Sequence, residues 1–172
     1  VIPVVIDNEQ FQFMVDTGAG KTIVDESLKT RLPPSTEKIT LKLPAGILRA
    51  SLHACPDGYV GRQKLVQVET VATADLAQIR SALGLEIQGI LGMDFLSNYS
   101  VEINFDHGWL LLWRETPNAW LSSAYEAKLG TVLGCPSAQL QLSDESSQEF
   151  VLDTGANSNV LISHVFDDFV AQ

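Results

Sequence analysis

Residues 13–24 read FMVDTGAGKTIV. An apolar run, Phe13 to Val15, enters a glycine-rich turn, and a second apolar pair, Ile23 and Val24, leaves it. Two chemistries compete for this turn. Its tail, Gly20-Lys21-Thr22, looks like the end of a phosphate-binding loop, while its middle, Asp16-Thr17-Gly18-Ala19, sets a carboxylate at the end of a strand. A phosphate loop needs a glycine five positions before its Gly-Lys-Thr, so that successive backbone N–H groups wrap the phosphates. Counting back from Gly20 reaches Val15, an apolar strand residue. The spacing rejects nucleotide binding.

The decisive observation is a repeat. EFVLDTGANSNVLIS around Asp153 aligns with QFMVDTGAGKTIVDE around Asp16 at an offset of 153 − 16 = 137 residues. Phe13 matches Phe150, Val15 matches Leu152, Ile23 matches Val160 and Val24 matches Leu161. The four residues Asp-Thr-Gly-Ala recur unchanged as Asp153, Thr154, Gly155 and Ala156, whereas Asn157-Ser158-Asn159 replaces Gly20-Lys21-Thr22. Upstream, VVIDNEQFQFMV and LQLSDESSQEFVL both read as strand, polar turn, strand. So long an offset describes a repeated lobe rather than a solenoid unit.

Between the copies the pattern is that of a small β domain. ITLKLPAGILRASLHA (39–54) alternates as two strands around Pro44-Ala45-Gly46, and KLVQVETVA (64–72) alternates again. LGLEIQGILGMDFLSNY (83–99) is an apolar strand, a glycine and a short helix, and VEINFD with WLLLW closes as a hairpin through His107-Gly108. The expected organisation is a first lobe at 1–115, a linker at 116–136 that is either helical or extended, and a partial second lobe at 137–172. Few residues follow the second Asp-Thr-Gly-Ala, so the second lobe is expected to be truncated here. The numbering starts at Val1 without a leader pattern, so a targeting segment is expected to have been trimmed.

Composition narrows the partners. A net charge of −10 disfavours nucleic acid, whose binding needs clustered Lys and Arg. No apolar run approaches the ~18–20 residues of a membrane span. Cys55 and Cys135 have neither metal-ligand spacing nor a disulfide framework, and His53, His107 and His164 are scattered, so no metal is expected. Trp109 and Trp113 read as hairpin residues and Trp120 as linker packing. Lys21 reads as a solvated lysine outside the turn, and Asp94 as a helix-start carboxylate favoured by the dipole.

A carboxylate at a strand end is costly unless solvated or hydrogen-bonded. A single copy is satisfied by an Asx-type turn; two copies in matched contexts point to a carboxylate pair. Two carboxylates held close cannot both ionise, so one keeps a proton and the other does not. Such a pair can activate a water as general base while protonating a carbonyl oxygen as general acid.

On these residues the chain resembles the retropepsin-like aspartic proteases, particularly bacterial members that combine DTGA (16–19) with an element like GILGMDFL (89–96). The resemblance covers 1–113 and, in part, 137–163. It implies a mostly β, acid-protease barrel lobe with a short helix, followed by the start of a similar lobe. Asp16 and Asp153 would be catalytic, with Thr17, Gly18, Ala19, Thr154, Gly155 and Ala156 shaping the active-site turns and the threonines gripping each other beneath the pair. Ile90, Leu91 and Gly92 would brace the Asp16 loop, and a flap would carry Ala45 and Gly46 at its tip, with the Cys55–Gly61 turn as second choice. Gly20 and Asn157 depart from the small hydroxyl or acidic residue usual after the motif. The implied substrate is a polypeptide, with no cofactor. Asp16 pairs either with Asp153 in one chain, as in two-lobed enzymes, or with Asp16 of a second copy. A protease-like module that binds peptides without cutting them is the third reading. The compartment stays open, with a lean toward an extracytoplasmic bacterial setting.

Overall fold

A computed structural model describes residues 1–43, 46–65, 68–118, 125–142 and 147–158. The fold is mostly β with few short helices. Strand β1 (Ile2–Ile6) turns into β2 (Glu9–Val15) through Asp7 and Asn8, both at positive φ (51° and 63°). Asp and Asn tolerate that conformation, which matches a two-residue hairpin turn to the strand twist. Val4, Ile6 and Phe13 are buried, so the hairpin lays one face on the core.

Beyond the Asp16 turn, β3 (Ile23–Asp25) is wholly buried and leads into a 3-10 turn at Glu26–Arg31. Strands β4 (Ser35–Leu43) and β5 (Gly46–Ala54) form a long hairpin, followed by β6 (Gly58–Val60), β7 (Gln63–Lys64) and β8 (Thr70–Ala74). Helix α1 (Ala77–Leu83) stops at Gly84, which is left-handed at φ 64°. Strand β9 (Gly89–Leu91) then leads into the single-turn helix α2 (Met93–Leu96).

These strands form a nine-stranded sheet in the order β4-β5-β8-β3-β9-β2-β1-β6-β7. Its centre decides the geometry of the site. Strand β9 pairs in parallel with β2 and antiparallel with β3, so it lies between the strand entering the Asp16 turn and the strand leaving it. One apolar cluster gathers Phe13, Val24, Leu91 and Phe95; another gathers Met14, Ile23, Ala72 and Ile90. The turn is thereby fixed from both sides by buried side chains. Among the described residues the sheet is open, not the closed barrel that the resemblance implies: β4 hydrogen-bonds only to β5 and β7 only to β6, so both remain edges.

Two smaller sheets follow. Strands β10 (Ser100–Asn104) and β11 (Trp109–Trp113) make a hairpin with Trp109, Leu111 and Trp113 on its more exposed side. Strands β12 (Gly130–Val132), β13 (Cys135–Gln141) and β14 (Ser147–Val151) make a three-stranded sheet leading to Asp153. That sheet starts at Gly130, inside the stretch expected to be linker, because Val132 pairs back onto Cys135. Residues 125–129 adopt no regular structure, and Trp120, His164 and the remainder of the second copy beyond 158 lie outside the described residues. Among the described residues no helix is long and apolar enough to cross a membrane.

Candidate active site

Asp16 follows β2 directly. Its backbone N–H donates to the Leu91 carbonyl at 3.1 Å, and its Oδ1 accepts from the N–H groups of Gly18 (2.8 Å) and Ala19 (3.0 Å). The turn thus satisfies the strand-end carboxylate with its own backbone. Asp153 repeats the arrangement, its Oδ1 accepting from Gly155 N–H at 2.8 Å. Each turn also closes with an N–H of the fourth residue on the carbonyl of the first, Ala19 on Asp16 and Ala156 on Asp153, both at 3.4 Å.

The two turns meet through their threonines. Thr17 N–H donates to Thr154 Oγ1 (3.1 Å), and Thr154 N–H donates to Thr17 Oγ1 (3.0 Å). Each hydroxyl then reaches under the opposite aspartate: Thr17 Oγ1 donates to the Leu152 carbonyl (2.5 Å) and Thr154 Oγ1 to the Val15 carbonyl (2.9 Å). A hydroxyl both donates and accepts, which this reciprocal pattern needs and a Val side chain could not supply.

The glycines show how close the turns come. A Cβ on Gly155 would stand 2.5 Å from Cγ of Asp16, and one on Gly18 would stand 2.6 Å from Oδ1 of Asp153. Each carboxylate therefore occupies the space over the opposite turn's glycine, and only a residue without a Cβ leaves that space free. Burial, then the Asp153 charge and a hydrogen bond with Asp153, raise the pKa of Asp16 to about 6, against the lowering effect of the Gly18 and Ala19 N–H groups. In mild acid, below about pH 6, this carboxyl can hold a proton.

The element Ile90-Leu91-Gly92 lies against the Asp16 turn. Beyond the Leu91 contact, Met93 N–H donates to the Ala19 carbonyl (2.8 Å) and Gly92 N–H to Thr22 Oγ1 (3.2 Å). A Cβ at Gly92 would come within 2.6 Å of the Lys21 carbonyl carbon. Ile90 is buried between β2 and β3. Gly46 opens β5, its backbone opposite Leu43, while Ala45 lies outside the described residues.

Several contacts of the site escape a reading by motif. Asp94 accepts from both Thr22 N–H (2.9 Å) and Thr22 Oγ1 (2.6 Å), so it anchors the exit of the Asp16 turn as well as starting α2. Lys21 is not the solvated lysine expected: its half-buried side chain places Nζ 3.5 Å from Oδ2 of the partly buried Asp94 and donates to Thr70 Oγ1 at 2.8 Å. Cys135, buried, points its thiol at the Gly18 carbonyl (3.3 Å), and burial followed by the charges of Asp16 and Asp153 pushes that thiol's pKa up. Cys55 and Cys135 are both free. Asp25 receives Ser27 N–H, Leu76 N–H and Arg80 Nη1, the last at 2.7 Å. Among the described residues, no three His, Cys, Asp or Glu side chains are grouped to hold a metal.

No curated protein matches the chain. A family model described as gag-polyprotein putative aspartyl protease matches residues 2–98, from β1 through the end of the β9–α2 element. That stretch is more than half of the 172 residues and carries the first Asp-Thr-Gly-Ala and the Gly92 element together, so the chain belongs to the retropepsin-like gag-polyprotein aspartyl protease family.

Proposed function

We propose that the protein is an aspartic endopeptidase in which Asp16 and Asp153 of one chain form the catalytic pair. The reading rests above all on one observation: the two carboxylates face each other over glycines, above a reciprocal pair of threonines. In this reading residues 1–115 form one lobe, and the unit containing the second Asp-Thr-Gly-Ala forms a partial second. The β4–β5 hairpin serves as the flap.

The mechanism follows from one shared proton. The ionised carboxylate takes a proton from a water held between the two groups, and the oxygen attacks the peptide carbonyl. The protonated carboxyl donates to the carbonyl oxygen as it becomes tetrahedral. When the C–N bond breaks, the leaving nitrogen takes a proton from the pair, and a carboxylic acid and an amine result. Burial and the neighbouring Asp153 carboxylate push the Asp16 carboxyl up to about 6, so the pair can share one proton in mild acid, the protonated member acting as acid and the ionised one as base. The Gly18, Ala19 and Gly155 N–H groups hold both carboxylates fixed, so little reorganisation accompanies proton transfer.

The test is hydrolysis of a diverse peptide library from acid to neutral pH, with Asp16→Asn as control. Cleavage by the wild type that is lost in the variant, together with binding of a statine-type transition-state mimic, supports the proposal. A wild type that binds peptides and cuts none would make it a binding module instead.

A further inference from the structure

Strands β4 and β5 present two different faces. Ile39, Leu41, Leu48 and Ala50 pack into the apolar cluster around Met14 and Ile90. The alternate residues Lys38, Thr40, Arg49 and Ser51 stand on the other face, with Lys38 opposite Ser51 and Thr40 opposite Arg49. Together with Glu26 they line an open cleft of about 300 Å³. The chain carries a net charge of −10, yet two cations and one anion line this cleft. Among the described residues the ion pairs join Lys21 to Asp94, Arg31 to Glu9 and Arg80 to Asp25, so neither Lys38 nor Arg49 is in one. Both are exposed. Strand β4 is also an edge: among the described residues it hydrogen-bonds only to β5, which leaves a row of backbone N–H and C=O groups open along its other side.

We propose that this edge docks an extended polypeptide segment with acidic side chains at alternate positions. A strand added beside β4 gains main-chain hydrogen bonds, and its side chains set the specificity. The residues that fall opposite Lys38 and Thr40 are alternate ones, so both project on the face of the cleft. An acidic residue opposite Lys38 meets that ammonium directly. Its neighbour two positions along lies opposite Thr40, whose short side chain leaves Arg49 to reach over it. Two strand spacings, about 9.4–9.8 Å, separate Arg49 from the added strand, a gap that long arginine and glutamate side chains close together. The remaining surface of so acidic a chain repels such a partner, which confines docking to this face. The inference goes beyond the peptidase reading and does not depend on it, because docking here breaks no bond.

The experiment follows, by fluorescence anisotropy at neutral pH, the binding of a labelled peptide alternating Glu and Thr to the full Asp16→Asn chain, which leaves the peptide uncut. A peptide alternating Lys and Thr serves as control. The expected result is saturable, salt-sensitive binding of the acidic peptide and none of the basic one. Lys38→Glu combined with Arg49→Glu, on a face that the core does not use, should weaken binding by about tenfold or more. Glu26→Gln removes the carboxylate lining the cleft and should tighten binding about two- to fivefold; it decides the matter if the double variant fails to fold. No binding, equal binding of both peptides, or binding that neither set of substitutions changes overturns the inference and leaves Lys38 as a charge guarding a free edge. Displacement of the peptide by an equal concentration of inorganic phosphate also overturns it, in favour of a small-anion site. Each of these failures leaves the peptidase reading untouched.

Discussion

Asp16 carries two predictions of different kinds. The first is kinetic: Asp16→Asn should lower kcat/KM by at least about a thousandfold, the scale expected when a member of a concerted catalytic unit is removed. The second concerns stability. The carboxyl's pKa is raised to about 6 in the folded chain, from roughly 3.9 when unfolded. The folded state therefore holds a proton that the unfolded state releases, and Asp16 favours folding at low pH. That contribution fades as pH rises from about 4 through about 6. At pH 7 the asparagine variant should be more stable than wild type by about 2 kcal/mol, after discounting for solvent screening. Urea unfolding at pH 4 and pH 7 checks it: the gain should vanish at the lower pH. The threonines behave differently. Thr154→Val removes the acceptor for Thr17 N–H and the donor to the Val15 carbonyl, costing about 1–3 kcal/mol, whereas Thr154→Ser keeps the hydroxyl and should stay within a fraction of that in thermal unfolding.

At the scale of elements, β3 and the 3-10 turn depend on Asp25. It caps the turn through Ser27, accepts Leu76 N–H at the start of α1 and pairs with Arg80 within that helix. Burial raises its pKa, but the hydrogen bonds from Ser27, Arg80 and Leu76 outweigh burial and leave it below the ordinary carboxylate value. Its contribution is therefore present above about pH 4 and lost as pH falls below that. Asp25→Ala should cost about 2–4 kcal/mol, below the full penalty for breaking a buried pair because Arg80 can return to water. Guanidinium unfolding at pH 6 measures it, and the difference should shrink in acid. This contact also marks the limit of what the sequence discloses. The β1–β2 hairpin, the β4–β5 hairpin and the Gly89–Leu96 element are legible because alternation, turn residues and an apolar-Gly run are local signals. Asp25 and Arg80 stand 55 residues apart, and Asp94 and Thr22 stand 72 apart; neither pair follows any periodicity. Helix α1 is only seven residues long, and its apolar stripe is just Ile79 and Leu83, both partly buried, too short a pattern to stand out.

For the molecule as a whole, Asp-Thr-Gly-Ala was readable twice because it repeats unchanged. What it could not reveal was how the copies meet, since that depends on the threonine hydrogen bonds and on Cys135 reaching Gly18 across 117 residues. The open nine-stranded sheet, where a barrel was expected, reflects edge strands that local patterning does not specify. Stability should peak between about pH 4 and pH 6, where Asp25 is ionised and Asp16 still protonated; a thermal-melt series across pH 3–8 should show decline on both sides. The central claim is that Asp16 works with Asp153 of the same chain, and the most direct measurement is the kcat/KM of Asp153→Asn on a cleavable peptide. It should fall as far as Asp16→Asn does, and mixing the two variants should restore nothing. An Asp153→Asn protein that keeps wild-type kcat/KM would contradict the claim and assign the pair to two copies of Asp16.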